Sequence, residues 1–177
     1  MNISIRPAVP DDAYDIRRIQ AEGWHDNNTS PSTGVTLEYL QQVKGHTLPP
    51  SPEKVAKMRE IVANAASDES QWGWVAVDND KVVGFIWMHS VKSDETSFGI
   101  YVDRQYRDRG VGTALIQEML HTHPKKKFSL SVTKGNEPGI RFYERYGFKQ
   151  IKESKEYMPC MIEGSEVYLP TIIMKNF

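Results

Sequence analysis

The stretch YVDRQYRDRGVGTALIQEML, residues 101–120, decides how this chain is read. It begins as the end of an apolar strand and finishes as an amphipathic helix carrying Leu115 and Met119. Three arginines, Arg104, Arg107 and Arg109, crowd the junction around Gly110 and Gly112. The first turn of a helix has N–H groups without intrahelical partners and the positive end of the macrodipole, so an anion docks there readily. Glycine lets the backbone approach such an anion closely, and arginine adds charge-assisted contacts. The junction is a candidate cradle for a pyrophosphate. A turn that merely contains glycine and arginine reads the same way, so G-x-G alone does not decide. A Walker loop is absent, because no G-x-x-x-x-G-K-[ST] occurs. A dinucleotide fingerprint fails as well. Leu115 stands where a third glycine or alanine belongs, and KKKFSLSV offers no acidic ribose partner.

Upstream of the junction, ISIRPA at residues 3–8 alternates apolar and polar positions, predicting a strand and then a helix over about residues 11–24. NNTSPSTG is loop chemistry, and VTLEYLQQV predicts a short helix capped by Thr36 and broken by GHTLPPS. Ser51 and Pro52 open another helix, with Val55, Met58, Val62 and Ala65 on one face. WGWVAV, DNDK and VVGFIWMHSV read as strand, turn and strand, and a strand over about residues 96–102 follows. Downstream, the helix ends near His123 and Pro124. FSLSV is then a strand, PGIRFYERY a helix, and FKQIKES and VYLPTIIMK late strands. The order β-α-α-α-β-β-β-α-β-α-β-β has no repeat and no long linker, so residues 1–177 are expected to form a single α+β (α/β-like) domain around a mixed sheet.

Composition bounds the function. With 39% hydrophobic and 25% charged residues the chain is ordinary for a globular domain, and a net charge of −1 argues against nucleic-acid or anionic-membrane partners. The KKK run at 125–127 reads as a solvated turn. A lone cysteine, Cys160, excludes an internal disulfide framework. No apolar run approaches the ~20 residues of a membrane span, and no signal-peptide pattern precedes Ile3, so a cytoplasmic protein is expected. Monomer and homodimer both stay open.

A second motif, NEPGIRFYERYGFKQI, starts at Asn136, with Pro138 in a helix first turn and Gly147 at its end. Together the two motifs resemble the GNAT superfamily of acyl-CoA-dependent N-acetyltransferases. Its R/Q-x-x-G-x-G/A loop corresponds to residues 107–112, and its N-x-x-A-x-x-F-Y-x-x-x-G-F helix to Asn136, Phe142, Tyr143, Gly147 and Phe148. IRPAVPDDAYDI and VVGFI also look like the family, so the resemblance covers almost the whole chain. It implies a mixed central sheet of about six to seven strands with about four to five helices on both faces. It also implies acetyl-CoA as cosubstrate and no metal.

Carried over residue by residue, the backbone of Ile100, Tyr101 and Val102 pairs with the pantetheine arm like an added strand. A β-bulge at Gly99 parts this strand from FSLSV. The amides of Arg107, Asp108, Arg109, Gly110, Val111, Gly112 and Thr113 hold the pyrophosphate. Asn136 reaches the pantetheine arm, and Tyr143 lies near the thioester sulfur. Arg104 replaces a common proline and Asp108 a frequent glycine, which implies weakened affinity at most, provided Asp108 points to solvent or meets an arginine. Gly139 in place of alanine costs about 1 kcal/mol of helix propensity if it lies inside the helix.

The activity so implied is direct acetyl transfer in a ternary complex. Tyr143, a phenol of pKa ~10, is the general acid for the leaving thiolate, and a backbone N–H at Tyr101 or Val102 is the oxyanion donor. A polyamine or lysine-like amine of pKa ~10.4 costs roughly 4–5 kcal/mol to neutralise at pH 7, whereas an α-amine near 7.7–8.0 costs only about 1 kcal/mol. Glu95 is the expected general base, ahead of Asp94, Glu22 and His89, because some family members carry a glutamate on this strand. Trp24, His25 and Tyr39 are expected to shape the acceptor pocket. The acceptor is a primary amine: a polyamine (helped by Glu153, Glu156, Glu163 and Glu166 if they gather at the mouth), a peptide N-terminus, or a small-molecule amine. Cys160 has no covalent role. The competing reading is a non-catalytic acyl-CoA sensor, since residues 107–112 would serve it equally; Tyr143 favours the enzyme. A nucleotide-binding protein of another fold would prefer ATP or NAD.

Overall fold

The computed structural model describes residues 2–29, 35–42, 47–65, 67, 71–92, 94–162 and 165–177. Strand β1 (Ile3–Pro7) leads through a 3-10 turn (Pro10–Asp12) into α1 (Ala13–Asn28). Next come α2 (Leu37–Gln42), α3 (Pro52–Ala65), β2 (Gln71–Asp78), β3 (Lys81–Lys92) and β4 (Glu95–Val102). A 3-10 turn (Arg104–Tyr106) precedes α4 (Val111–Thr122), followed by β5 (Lys127–Thr133), α5 (Glu137–Glu144), β6 (Lys149–Ile162) and β7 (Ser165–Lys175). The expected order of elements is the observed one. The sheet runs β1-β2-β3-β4-β5-β7-β6, antiparallel throughout except for the parallel pair β4–β5.

Local chemistry explains the turns. Asn79 and Asp80 join β2 to β3 with φ of 48° and 66°, the two left-handed residues that a tight hairpin of this twist requires. The alternation of β2 sorts its side chains to two cores. Val75 and Val77 pack with Ile16 and Ile19 of α1 and Val62 of α3 on one face. Ala76, with Ile86 and Met88 of β3, packs with Leu115, Ile116 and Met119 of α4 on the other. Helices therefore cover both faces of a seven-stranded mixed sheet.

Two elements run longer than expected. Helix α1 continues past Trp24 to Asn28, because Asn28 Nδ2 donates to the Trp24 carbonyl (2.8 Å) and Thr29 Oγ1 to that of His25 (2.9 Å). Polar side chains that would favour a loop instead satisfy the helix's own last carbonyls. Strand β6 extends to Ile162, paired with β7 as far as Ile162↔Ser165. The side chains of 156–168, and with them those of Glu156, Cys160, Glu163 and Glu166, lie outside the described residues; Glu153 is described, and its carboxylate binds Lys134 at 2.7 Å.

Candidate functional site

The site begins where the sheet comes apart. β4 and β5 pair only at Glu95↔Lys127, Thr96↔Phe128 and Ser97↔Ser129, whereas β4 stays paired to β3 as far as Val102↔Gly84. Beyond Ser97 the β4–β5 ladder ends among the described residues, and Ile100, Tyr101 and Val102 line the cleft that follows. Gly99 does not form the expected bulge. It remains in register opposite Trp87, and the irregularity in this pairing falls between Ser90 and Lys92. The parting needs no extra residue in β4.

The turn after β4 is nailed down before the cradle starts. Asp103, 4% exposed, accepts from the Gln105 amide (3.0 Å) and from Arg18 (3.0 Å). Burial alone would raise its carboxyl, but these bonds and Lys81 outweigh it and hold the group below the ordinary carboxylate range. Arg107 Nε donates to the Val102 carbonyl (3.3 Å), and its guanidinium pairs with Asp26 at 2.6 Å, where Arg104 also binds. Arg107 is therefore a strut between β4 and the end of α1. Asp108 has φ 59°, a left-handed conformation that explains why glycine suits the position and why aspartate is tolerated; its side chain is exposed. Gly110 (φ 83°) is the N-cap of α4 and offers no side chain to it, so the first-turn amides of Val111, Gly112 and Thr113 open onto the cleft uncapped.

The cleft encloses about 570 Å³ and brings together most of the expected residues: the open edge of β4, the loop from Arg107 through Thr113 except Arg109, and Asn136 and Tyr143 of the second motif. Arg109 is exposed over the Tyr106 ring, 5.9 Å from its centroid. Asn136 caps α5 by accepting from the Gly139 amide (3.1 Å). A Cβ at Gly139 would lie 2.8 Å from Asn136 Nδ2, so the folded-over asparagine occupies the space an alanine would take. Gly139 is thus the counterpart of the asparagine cap, whatever helix propensity it forgoes.

Tyr143 is held by aromatic neighbours, with ring centroids 6.0 Å from Phe98, 5.2 Å from Phe142 and 6.1 Å from Phe148. Burial, with Tyr101 adding to it, pushes its phenol above the ordinary tyrosine value, so the group stays protonated well into alkaline pH. Tyr101 stacks on Phe85 at 5.4 Å, and α1 crosses it at Gly23, where a Cβ would stand 2.7 Å from the Tyr101 ring.

Other expected residues are not brought in. Glu95 sits on the closed end of the β4–β5 pair, mostly buried, with its carboxylate ion-paired to Lys175 (2.9 Å). It does not line the cleft, so it is not placed to act as a base beside Tyr143. Of the acceptor residues, Trp24 lines the cleft. His25, 2% exposed, faces inward and its Nε2 has no partner among the described residues. Tyr39 falls in α2, and its side chain lies outside the described residues. Glu22 is bound by Arg18 (3.2 Å), and Asp94 by Lys127 (2.8 Å). Asn28, Thr133, Phe98, Phe142 and Leu169 also line the cleft. Phe142 belongs to the second motif; nothing in the local sequence marked the other four, since each arrives from a different element. Among the described residues no group of three or more His, Cys, Asp or Glu is placed to hold a metal, and no helix is long and apolar enough to cross a membrane.

Residues 69–150 match a family model described as an acetyltransferase (GNAT) domain. The uncharacterized N-acetyltransferase YafP of Escherichia coli is 32% identical over 105 residues, which cover 55% of this chain and 64% of that protein; the chain thus spans less than two thirds of that relative's length. The ribosomal protein bS18-alanine N-acetyltransferase of Escherichia coli is 24% identical over 72% of this chain and 83% of its own. The PaiA N-acetyltransferase of Thermoplasma acidophilum, solved in complex with coenzyme A, shares the fold with a TM-score of 0.67, at 19% identity over 99% of this chain and 98% of its own.

Proposed function

We propose that this chain, whose residues 69–150 match a GNAT acetyltransferase domain model, transfers an acetyl group from acetyl-CoA to a primary amine within a ternary complex. The observation that carries this reading is the coincidence of three features on one cleft: a strand segment at 99–102 that has left the β4–β5 ladder, an uncapped helix N-terminus at 111–113, and a protonated phenol at Tyr143. The cleft fits the coenzyme chemically. First-turn amides and the α4 dipole suit a pyrophosphate, and an open strand edge suits the amide groups of a pantetheine arm.

Acetyl-CoA, when bound, supplies an activated thioester. The chain's residues would then act in order. Backbone amides at 111–113 fix the diphosphate, and the edge of β4 aligns the arm so that the thioester lies beside Tyr143. An N–H of Tyr101 or Val102 faces the carbonyl oxygen as it takes up negative charge. The amine nitrogen bonds to the carbonyl carbon, the C–S bond breaks, and the Tyr143 hydroxyl gives its proton to the departing thiolate. The extra proton on nitrogen passes to water, and a proton returns from solvent to the Tyr143 phenolate, so the cycle closes with no net proton change.

Water suffices as acceptor only for an amine that is already partly neutral, and this selects the substrate class. Among the described residues the only carboxylate lining the cleft is Asp108, out on the loop, and no side-chain base stands beside Tyr143. An α-amine costs about 1 kcal/mol to deprotonate at pH 7, a polyamine nitrogen roughly 4–5 kcal/mol. An amino acid or peptide N-terminus is therefore the acceptor we favour over a polyamine, in keeping with the similarity to an enzyme named for acetylating a ribosomal-protein alanine. A thiol-release assay with acetyl-CoA tests this against panels of α-amines and polyamines. Saturable turnover with α-amines is expected; saturable turnover with spermidine and none with any α-amine would overturn the assignment.

A further inference from the structure

A parallel strand pair that has started to zip continues unless something holds it open, because each added residue gains hydrogen bonds. Extending the register from Ser97↔Ser129 by four residues on each strand would set Tyr101 opposite Thr133. Helix α1 touches both of these residues. On the β4 side, Gly23 lies against the Tyr101 ring so closely that a Cβ would come within 2.7 Å of it. On the β5 side, Asn28 Oδ1 accepts from Thr133 Oγ1 at 3.0 Å. Asn28 is 4% exposed and its Nδ2 is committed to the Trp24 carbonyl, so its amide is fixed in one orientation and offers Thr133 an oxygen.

From Gly23 to Asn28 is five residues, about 7.5 Å along a helix axis, against about 4.8 Å between hydrogen-bonded strands. Neighbouring contacts tie the same stretch of α1 to both sides. Asp26 pairs with Arg107 (2.6 Å) at the end of β4, and Asn27 Oδ1 accepts from Asn136 (3.4 Å) beyond β5.

We propose that Asn28 and Thr133 are positioning residues, and that the last turns of α1 form a spacer holding β4 and β5 apart beyond Ser97, which keeps the cleft open. The bulge expected from the resemblance is absent at Gly99, and the spacer supplies the mechanical cause of the parting. The proposal rests on the reading of the cleft as a coenzyme site only for its consequence on affinity; the spacer itself is tested without ligand.

The test uses Thr133→Val, which removes the hydroxyl at constant shape, Thr133→Ser, which retains it, and Asn28→Ala alone and combined with Thr133→Val. Amide hydrogen exchange on the ligand-free proteins and calorimetric titration with coenzyme A are the readouts. In Thr133→Val, the amides of residues 99–102 that face β5 are expected to gain protection while those of β2 and β3 are unchanged. Coenzyme A affinity is expected to fall about tenfold, the worth of one net hydrogen bond. Thr133→Ser should stay within about twofold of the parent on the same scale, and the double variant should be no weaker than the weaker single one. Unchanged protection at 99–102 in Thr133→Val, or a loss that serine fails to restore, overturns the spacer. If the parent protein takes up no coenzyme A at all, the coenzyme reading falls, and the exchange result alone decides the spacer in either direction.

Discussion

Gly112 and Gly110 stand two residues apart at the mouth of α4, and the structure assigns them opposite reasons for being glycine. A methyl group at Gly112 would sit 3.5 and 3.6 Å from the Phe142 ring and 3.8 Å from Val102, ordinary contact distances that require nothing to move. The protein itself therefore does not need glycine there. Gly112→Ala at such a compatible position should stabilise by about 0.4–1 kcal/mol, raising Tm by about 1–4 °C for a chain of this size. The same methyl would stand on the amides proposed to grip the diphosphate. Losing one charge-assisted hydrogen bond, about 1.5–3 kcal/mol, would weaken coenzyme A about 10- to 100-fold. Gly110 has φ 83° with open space around the missing Cβ, so its constraint is the backbone alone. Gly110→Ala should cost about 1–2 kcal/mol and lower Tm by about 2–8 °C. Thermal melts give the stability arm and calorimetry with coenzyme A the binding arm. A Gly112→Ala protein that is more stable and binds coenzyme A within about twofold of the parent would refute the diphosphate site.

Tyr143→Phe should lower turnover about 100-fold or more while leaving coenzyme A affinity unchanged, measured by thiol release and calorimetry; a sensor would lose nothing. Because burial raises the Tyr143 phenol, its acid form persists beyond the ordinary value of about 10, so any descending limb due to this group lies above about pH 10. A descending limb between about pH 7 and 9 that vanishes in Tyr143→Phe would contradict this. Asp103 is lowered from the model-peptide value of 3.8, so its contribution to stability is full above that value and is lost as pH falls through the lower folded value. Urea unfolding of Asp103→Asn should show a deficit at pH 7 that shrinks on approaching about pH 3; a deficit constant with pH would mean the carboxylate's charge is irrelevant.

The order of elements and the hairpin turn at Asn79 and Asp80 were legible in the sequence, whereas the left-handed Gly110 and the Asn136 cap are findings of the structure. Each is decided within a few residues, by the period of apolar side chains or by what φ a side chain permits. The cradle and the second motif were readable for the same reason: cradle residues 110–113 and Asn136 lie at the starts of helices, where local geometry dictates which amides are open. What the chain could not announce locally depends on distant partners. Glu95 looked like a base until Lys175, 80 residues away, met it across the closed end of the sheet. The side chain of Arg107, whose amide is expected at the pyrophosphate, meets Asp26, 81 residues away in sequence. The opening of β4 from β5, from which the cleft arises, is spanned by α1, whose Asn28 meets Thr133, 105 residues away. Local patterning selects helices and strands because the competing states are a few dihedral angles apart. Where a strand pair opens, or which charge an arginine meets, is settled only when loops close and bring remote groups to one place, and the free energy of that encounter is carried by no single stretch of sequence.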